Sequence, residues 1–413
     1  MKKYVIVGCG GRGLGSYATP IVQEYGDVAQ LWGMYDINYK RAAYVSKHLG
    51  VEIPVFDDFD RMVTEARPDT VIVTSKDCTH DQYVIRAMEL GCDVIVEKPI
   101  TTDLNKARAI WQAQKRTGKN ITTIFNLRYS PFFLRIKELV ASGMVGDILS
   151  VHYEWMLDTS HGASYFRRWH RERKNSGSLL IHKASHHFDI ANWLLEQDPV
   201  AVNAFGTRRF YGPTREERSE RCLTCPYAKQ CEFYFDIQKD TLTKELYLDC
   251  EDVDGYLRDR CVFSEQIDIE DSVAVNVRYS KGTVMSYSLT AHSPYEGLHL
   301  VLNGTKGRLE VQNISASPVP QDNYIRFYNR LGEKIEITPP REGYRGHGGH
   351  GGADGLMLDR LMGVKTGDDP LGQHADWRAG FKAIGIGRAA NLSMAEKRQV
   401  SLEDIWEEFG FTE

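Results

Sequence analysis

Apolar and polar positions follow two different rhythms along this chain. Over its first third, short apolar runs fall at residues 4–7, 29–35, 70–74, 94–96 and 121–125, and all but the second contain Val or Ile. Such near-continuous runs predict strands buried on both faces of a parallel sheet. Between them, residues 14–25, 40–49, 59–66, 79–90 and 104–117 have helical spacing, and Gly91 is placed to end one of these helices. Strands alternating with helices predict a doubly wound domain over residues 1–125. The rhythm then changes. A helix at 131–142, an alternating strand at 148–155 and helical spacing at 178–195 precede strands at 272–279, 283–290, 298–302, 308–311, 324–328 and 334–337. These predict a second α/β domain, residues 126–345, with a large, open, mostly antiparallel sheet. One face of such a sheet must be covered by helices or another subunit. A charged, cysteine-rich insertion spans about 211–262, and a tail at 346–413 carries helices at 377–394 and 402–409 expected to pack back on the first domain.

The first apolar run ends in Gly8, Gly10, Gly11, Arg12 and Gly13, a G-x-G-x-x-G pattern between a strand and a helix. That is the Rossmann fingerprint. Its glycines permit a tight turn and a close backbone approach, so that helix N–H groups face a pyrophosphate. The second run ends in Asp36, 23 residues past Gly13, where a carboxylate accepts from the adenosine ribose and favours NAD over NADP. Lys40 and Arg41 nearby leave room for NADP, and Asp36 is also placed to cap the following helix. Ligands bind outside the carboxyl ends of the strands, so Thr74, Ser75 and His80 are expected to line the nicotinamide side with Glu97, Lys98 and Asn126. Lys98, between a carboxylate and Pro99 at a strand end, is the first candidate for proton transfer.

Taken together, residues 8–13, Asp36, 74–80, 97–99, 125–129 and 177–189 resemble the glucose–fructose oxidoreductase, inositol dehydrogenase and rhizopine catabolism (Gfo/Idh/MocA) family. The resemblance implies hydride transfer between NAD(P) and a hydroxyl carbon of a sugar or polyol. The family's Asp-x-Gly-x-His-x-x-Asp stretch places its histidine at His186 and its last aspartate at Asp189, while His182 and Ala184 replace the first aspartate and the glycine. Lys98 and His186 are therefore the expected acid/base pair, with His182 or Lys183 in support. Arg128, Tyr129, His187, His347 and His350 are candidate substrate binders. The loop carrying His347, His350 and Asp354 also resembles that of NAD-dependent glycosidases in the same superfamily. The i, i+4 pair His182 and His186 has the spacing of metal ligands but lacks the Glu of a metalloprotease motif.

Composition changes this picture little. With 413 residues, 42% hydrophobic and 26% charged positions and a net charge of −5, the chain gives no electrostatic case for nucleic acid or an anionic membrane. No apolar run reaches the roughly 18 residues of a membrane span, and the start Met1-Lys2-Lys3 runs straight into a strand, so a cytoplasmic location is expected. Five of the eight cysteines fall between 222 and 261. Cys222, Cys225, Cys231 and Cys261, with Cys250 as a substitute, predict a closed structural site for zinc, with an iron–sulfur cluster as second choice. Reduced thiols or a disulfide are the alternative.

Three functions fit these residues. The first is an NAD-dependent oxidoreductase acting on a secondary hydroxyl of a sugar, glycoside or polyol, homo-oligomeric through its open sheet. The second is a redox-neutral glycosidase that oxidises C3, eliminates, hydrates and reduces again. The third is a sugar or NAD sensor without turnover, which the retained Lys98 and His186 disfavour.

Overall fold

The computed structural model describes residues 1–339 and 352–408. Strands β1 (Lys2–Val7), β2 (Ala29–Tyr35), β3 (Val55–Phe56), β4 (Thr70–Val73), β5 (Asp93–Glu97) and β6 (Ile121–Ile124) form one parallel sheet in the order β3-β2-β1-β4-β5-β6. Both of its faces are covered, which explains the unbroken apolar runs. Val5, Val7, Val71, Val73, Val94 and Val96 pack against Ala107 and Ile110 on one side. Ile6, Ile72, Ile95 and Ile124 point to the other side, toward Leu14 and Ile21. The strand order reverses between β1 and β4, so the loops after these two strands open a crevice at the switch point.

The second sheet has nine strands: β7 (Ile148–Asp158), β8 (Pro199–Thr207), β9 (Ser272–Tyr279), β10 (Val284–Ser293), β11 (Glu296–Gly304), β12 (Gly307–Ala316), β13 (Tyr324–Asn329), β14 (Lys334–Ile337) and β15 (Val400–Ser401). They run in the order β14-β13-β12-β11-β7-β10-β9-β8-β15, antiparallel except for the β7–β10 pair. Val273, Val275 and Val277 on β9 and Met285, Tyr287 and Leu289 on β10 are buried, while their alternates face outward. The buried face carries helices Thr159–Arg167, Ala184–Leu195 and part of Trp377–Glu396. The other face leaves Phe205 and Val284 exposed.

Two helical elements differ from expectation. The helix expected over 178–195 is split into Leu179–His182 and Ala184–Leu195 at Lys183. Just before it, Ser178 holds φ at 110°, a strain of about 1–3 kcal/mol that a non-glycine residue bears only when its surroundings enforce it. Its hydroxyl bonds to Asn391 and to the amide of Leu180. Of the C-terminal helices, Ala353–Leu361 packs on the Rossmann domain through Ala353, Met357 and Leu358. Helix Trp377–Glu396 lies between the domains. Phe381 and Ile384 join the first core, Ile386, Ala389 and Ala390 the second, and the chain then adds β15 to the edge of β8. The segment between β8 and β9 stays outside the sheet, and its short helices Thr241–Leu246 and Glu251–Asp254 reach across to helix Tyr39–His48. Among the described residues, no helix is long and apolar enough to cross a membrane.

Candidate active site

The glycine loop is built for a close approach. Gly8 has φ of 95°, and a Cβ there would lie 2.5 Å from the amide nitrogen of Ser75; one on Gly13 would lie 2.3 Å from the Gly8 carbonyl oxygen. Thr74 ties the two loops together, its hydroxyl donating to the Gly8 carbonyl at 2.6 Å. At the end of β2, Asp36 accepts from the amides of Cys9 (2.7 Å) and Asn38 (2.8 Å), with Arg41 at 3.5 Å. Burial pushes its carboxyl up, while Arg41 and the two amides pull it down. Asn38, not Asp36, caps helix Tyr39–His48. Gly8, Gly10, Gly11 and Asp36 line one cleft with Thr74, Ser75, Glu97, Lys98 and Asn126, as a bound dinucleotide requires. Tyr247 joins them from the insertion, its hydroxyl accepting from the Gly11 amide at 2.8 Å.

Below the loop lies a polar network. Glu97 accepts from Arg12 Nε at 2.7 Å and from the Tyr17 hydroxyl at 2.6 Å. Asp354 accepts from Arg12 Nη1 at 2.9 Å and from Asn126 Nδ2 at 2.6 Å. Glu97 and Arg12 are thus locked to each other, which fixes the strand end from which Lys98 projects. His80 works from the opposite side, with Nδ1 2.8 Å from the Pro99 carbonyl oxygen and Nε2 3.1 Å from that of Ser75. It fastens the β4 loop to the β5 loop.

Lys98 donates from Nζ to the His182 carbonyl at 2.8 Å. Burial brings its pKa down to about 8, helped by Lys183 and Arg12 and opposed by Asp77 and Glu97. His182 places Nδ1 2.5 Å from Asp77 Oδ2. Burial pushes the Asp77 carboxyl up and the His182 imidazole well down, so one proton shared within this pair costs least. Lys183 and His186 also line the cleft. Lys183, pushed down by burial, lies 5.1 Å from the Trp155 ring centre.

The remaining wall comes from residues 161–170, which the sequence reading passed over. His161 bridges Glu296 (3.1 Å) and the Tyr165 hydroxyl (3.0 Å), and the His170 ring packs between Trp169 (3.7 Å) and His182 (4.1 Å). Arg168 lines the same space. The density of His, aromatic and Arg residues at 161–170 is a signal that could have marked this segment. Nothing local marks Tyr247, Asp254 or Tyr256, which reach the cleft only through tertiary folding, whereas Asp77 lies within the 74–80 loop at the end of β4.

Several expected site residues lie elsewhere. Arg128 makes a buried two-point pair with Asp189 (2.8 and 2.6 Å) and donates to the Gly372 carbonyl at 2.9 Å. Tyr129 is buried in the Rossmann core. His187 stacks on Trp155 at 4.0 Å and bonds to the Tyr287 hydroxyl at 2.7 Å, within the second core. These three are not among the residues lining the cleft. His347 and His350 lie outside the described residues.

Cys222, Cys225, Cys231 and Cys261 do converge on one small pocket. Their arrangement, however, does not support the expected zinc or iron–sulfur site. Arg167 donates to Cys222 Sγ at 3.1 Å and Arg215 to Cys231 Sγ at 3.2 Å. Burial pushes the Cys222 thiol up, toward its protonated form. Among the described residues, no three His, Cys, Asp or Glu side chains are grouped to hold a metal ion, the His182–His186 pair included. All eight cysteines are unpaired thiols.

A dinucleotide crevice at the switch point of a parallel sheet, facing a lysine- and histidine-lined cleft closed by a second domain, defines a two-domain NAD-binding oxidoreductase. The comparisons with known proteins agree. Residues 2–125 match the family described as "Oxidoreductase family, NAD-binding Rossmann fold" (GFO_IDH_MocA), and residues 137–402 match its "C-terminal alpha/beta domain". The chain belongs to the Gfo/Idh/MocA oxidoreductase family. It is 35% identical to YteT of Bacillus subtilis (strain 168), which carries the name of an oxidoreductase, over 98% of this chain and 99% of that protein. With an inositol 2-dehydrogenase of Rubrobacter xylanophilus it shares 29% identity over 49% of this chain, spanning about half (54%) of that relative. A crystal structure of an NAD-binding oxidoreductase from Klebsiella pneumoniae superposes with a TM-score of 0.71 over 97% of this chain and 98% of that one; at 18% identity this likeness shows the fold alone.

Proposed function

We propose that this protein oxidises a secondary alcohol of a polyol, sugar or glycoside, or runs the reverse reduction, with NAD as cofactor. One observation carries the reading: Lys98, brought down toward neutrality, projects from the end of β5 beside the Asp77–His182 pair and within the cleft that the glycine loop opens. NAD supplies the hydride acceptor when bound. The chain's part is to bind the alcohol, take its proton and exclude water. Neutral Lys98 accepts the hydroxyl proton as the C–H bond breaks, and His186 or the Asp77–His182 pair passes it on. His161, Tyr165, His170 and Arg168 are placed to hold neighbouring hydroxyl groups. The name of the inositol 2-dehydrogenase relative supports a polyol-like substrate.

Asp36 supports NAD rather than NADP. The apolar residues exposed on the outer face of the second sheet support an interface with another subunit there. An activity panel tests the chemistry. Incubation of the protein and NAD with polyols, free sugars and glycosides, followed by NADH absorbance and release of aglycon, is expected to give NADH with at least one polyol or sugar. Aglycon release without net NADH would establish the redox-neutral glycosidase instead. Neither signal, with NAD still bound, would leave the sensor.

A further inference from the structure

Two cations, Lys40 and Arg41, follow Asp36 within one helical turn. An arginine at this place normally receives the 2′-phosphate of NADP and would oppose the choice that Asp36 makes. In this chain both are already engaged by the insertion. Lys40 Nζ lies 2.6 Å from Asp252, and Arg41 Nη1 lies 3.1 Å from Asp254 and 3.5 Å from Asp36. Arg41 Nε also donates to the Leu246 carbonyl at 3.3 Å, and Asn38 donates to the Cys250 carbonyl at 2.7 Å. The segment is thereby moored to helix Tyr39–His48. The two ion pairs are not equivalent. Lys40 and Asp252 are exposed, with side chains 38% and 64% accessible, so solvent screens them. Arg41 and Asp254 are 8% and 10% accessible, and giving Arg41 to a phosphate would leave the Asp254 charge buried with only the Tyr256 amide to answer it. Asp254 also lines the cofactor cleft, where its own charge faces any phosphate placed beside Asp36.

We infer that cofactor choice is set jointly by the Rossmann domain and the insertion, with Asp254 as a specificity-determining residue that withholds Arg41 from the 2′-phosphate of NADP. This rests on the NAD reading above but concerns binding alone. A protein inactive on every alcohol would defeat that reading and leave this one standing.

The test is a titration of the full chain with NAD and with NADP, giving both dissociation constants. Asp254→Asn is expected to shift the NADP/NAD affinity ratio toward NADP by about 10–100-fold, the worth of one released charge-assisted hydrogen bond. Asp254→Glu is expected to keep the wild-type ratio, and Asp252→Asn to change it little. Adding Arg41→Ala to Asp254→Asn is expected to abolish the gain. An unchanged NADP/NAD ratio in Asp254→Asn, or a gain that persists without Arg41, overturns the inference. Should Asp254→Asn fail to fold, Arg41→Ala alone still decides. It leaves NADP affinity unchanged if Arg41 is withheld, and weakens it if Arg41 already serves the phosphate.

Discussion

Oδ2 of Asp77 lies 2.5 Å from Nδ1 of His182, joining the loop after β4 to helix Leu179–His182 in the second domain. Position 182 is where the family pattern carries an aspartate. Here a histidine stands there, and the carboxylate comes from the other domain.

Asp77→Asn keeps the shape but removes the negative charge that faces His182. We expect kcat to fall by about 10²-fold or more, with NAD affinity unchanged, because the pair acts on a proton in flight rather than on the dinucleotide. Asp77→Glu should recover part of the rate and part of the wild-type pH profile. Steady-state kinetics across pH checks this, since a purely structural role would lower the amount of active enzyme without altering the profile.

Lys98→Ala should lower kcat and kcat/KM together, by roughly 10²–10⁴-fold, and leave the NAD dissociation constant near wild type. The sign of the pH effect follows from the depressed pKa. Alcohol oxidation needs neutral Lys98, so kcat/KM should rise with pH through about 8 and then level, whereas ketone reduction needs the protonated form and should fall through the same range. Both limbs should be missing in Lys98→Ala.

Asp189→Ala removes one half of a pair whose side chains are 9% and 1% accessible, leaving the Arg128 charge buried without its counter-charge. The expected loss is about 3–5 kcal/mol of stability. Urea denaturation followed by circular dichroism measures it. NAD binding by the folded fraction should be normal, because this pair is not among the residues lining the cleft.

Gly13→Ala forces a Cβ to within 2.3 Å of the Gly8 carbonyl oxygen, and neither the turn nor the helix can give way without moving the other. Titration should show NAD affinity lost, while the far-ultraviolet spectrum shows the second domain still folded.

The parallel sheet was legible because burial on both faces writes itself as unbroken Val and Ile runs, and the glycine loop and Asp36 follow from its strand ends. β3, only two residues long, and β8, whose apolar stretch carries Asn203 and Gly206, leave no such trace. Direction of side chains was less legible than position. Arg128 and His187 have the right chemistry close to the right segment, yet Asp189 claims one and Trp155 and Tyr287 the other. The cysteines show the same limit. Their spacing brings them to one pocket, but two arginines that no spacing rule foretells take up two of the sulfurs. Tyr247 reaches the cleft from the insertion, and no local pattern gives it away.

The single parallel pairing in the second sheet has a bearing on how the chain is made. β7 ends at Asp158, but both its neighbours, β10 and β11, begin only at Val284 and Glu296. Roughly 125 residues must therefore leave the ribosome while the middle strand waits with both edges bare, an interval of about 6–25 s at translation rates of about 5–20 residues per second. The Rossmann strands, complete by Ile124, have no such delay. Nascent chains stalled within this window would be the ones most in need of a chaperone, because β7 then presents two unpaired edges.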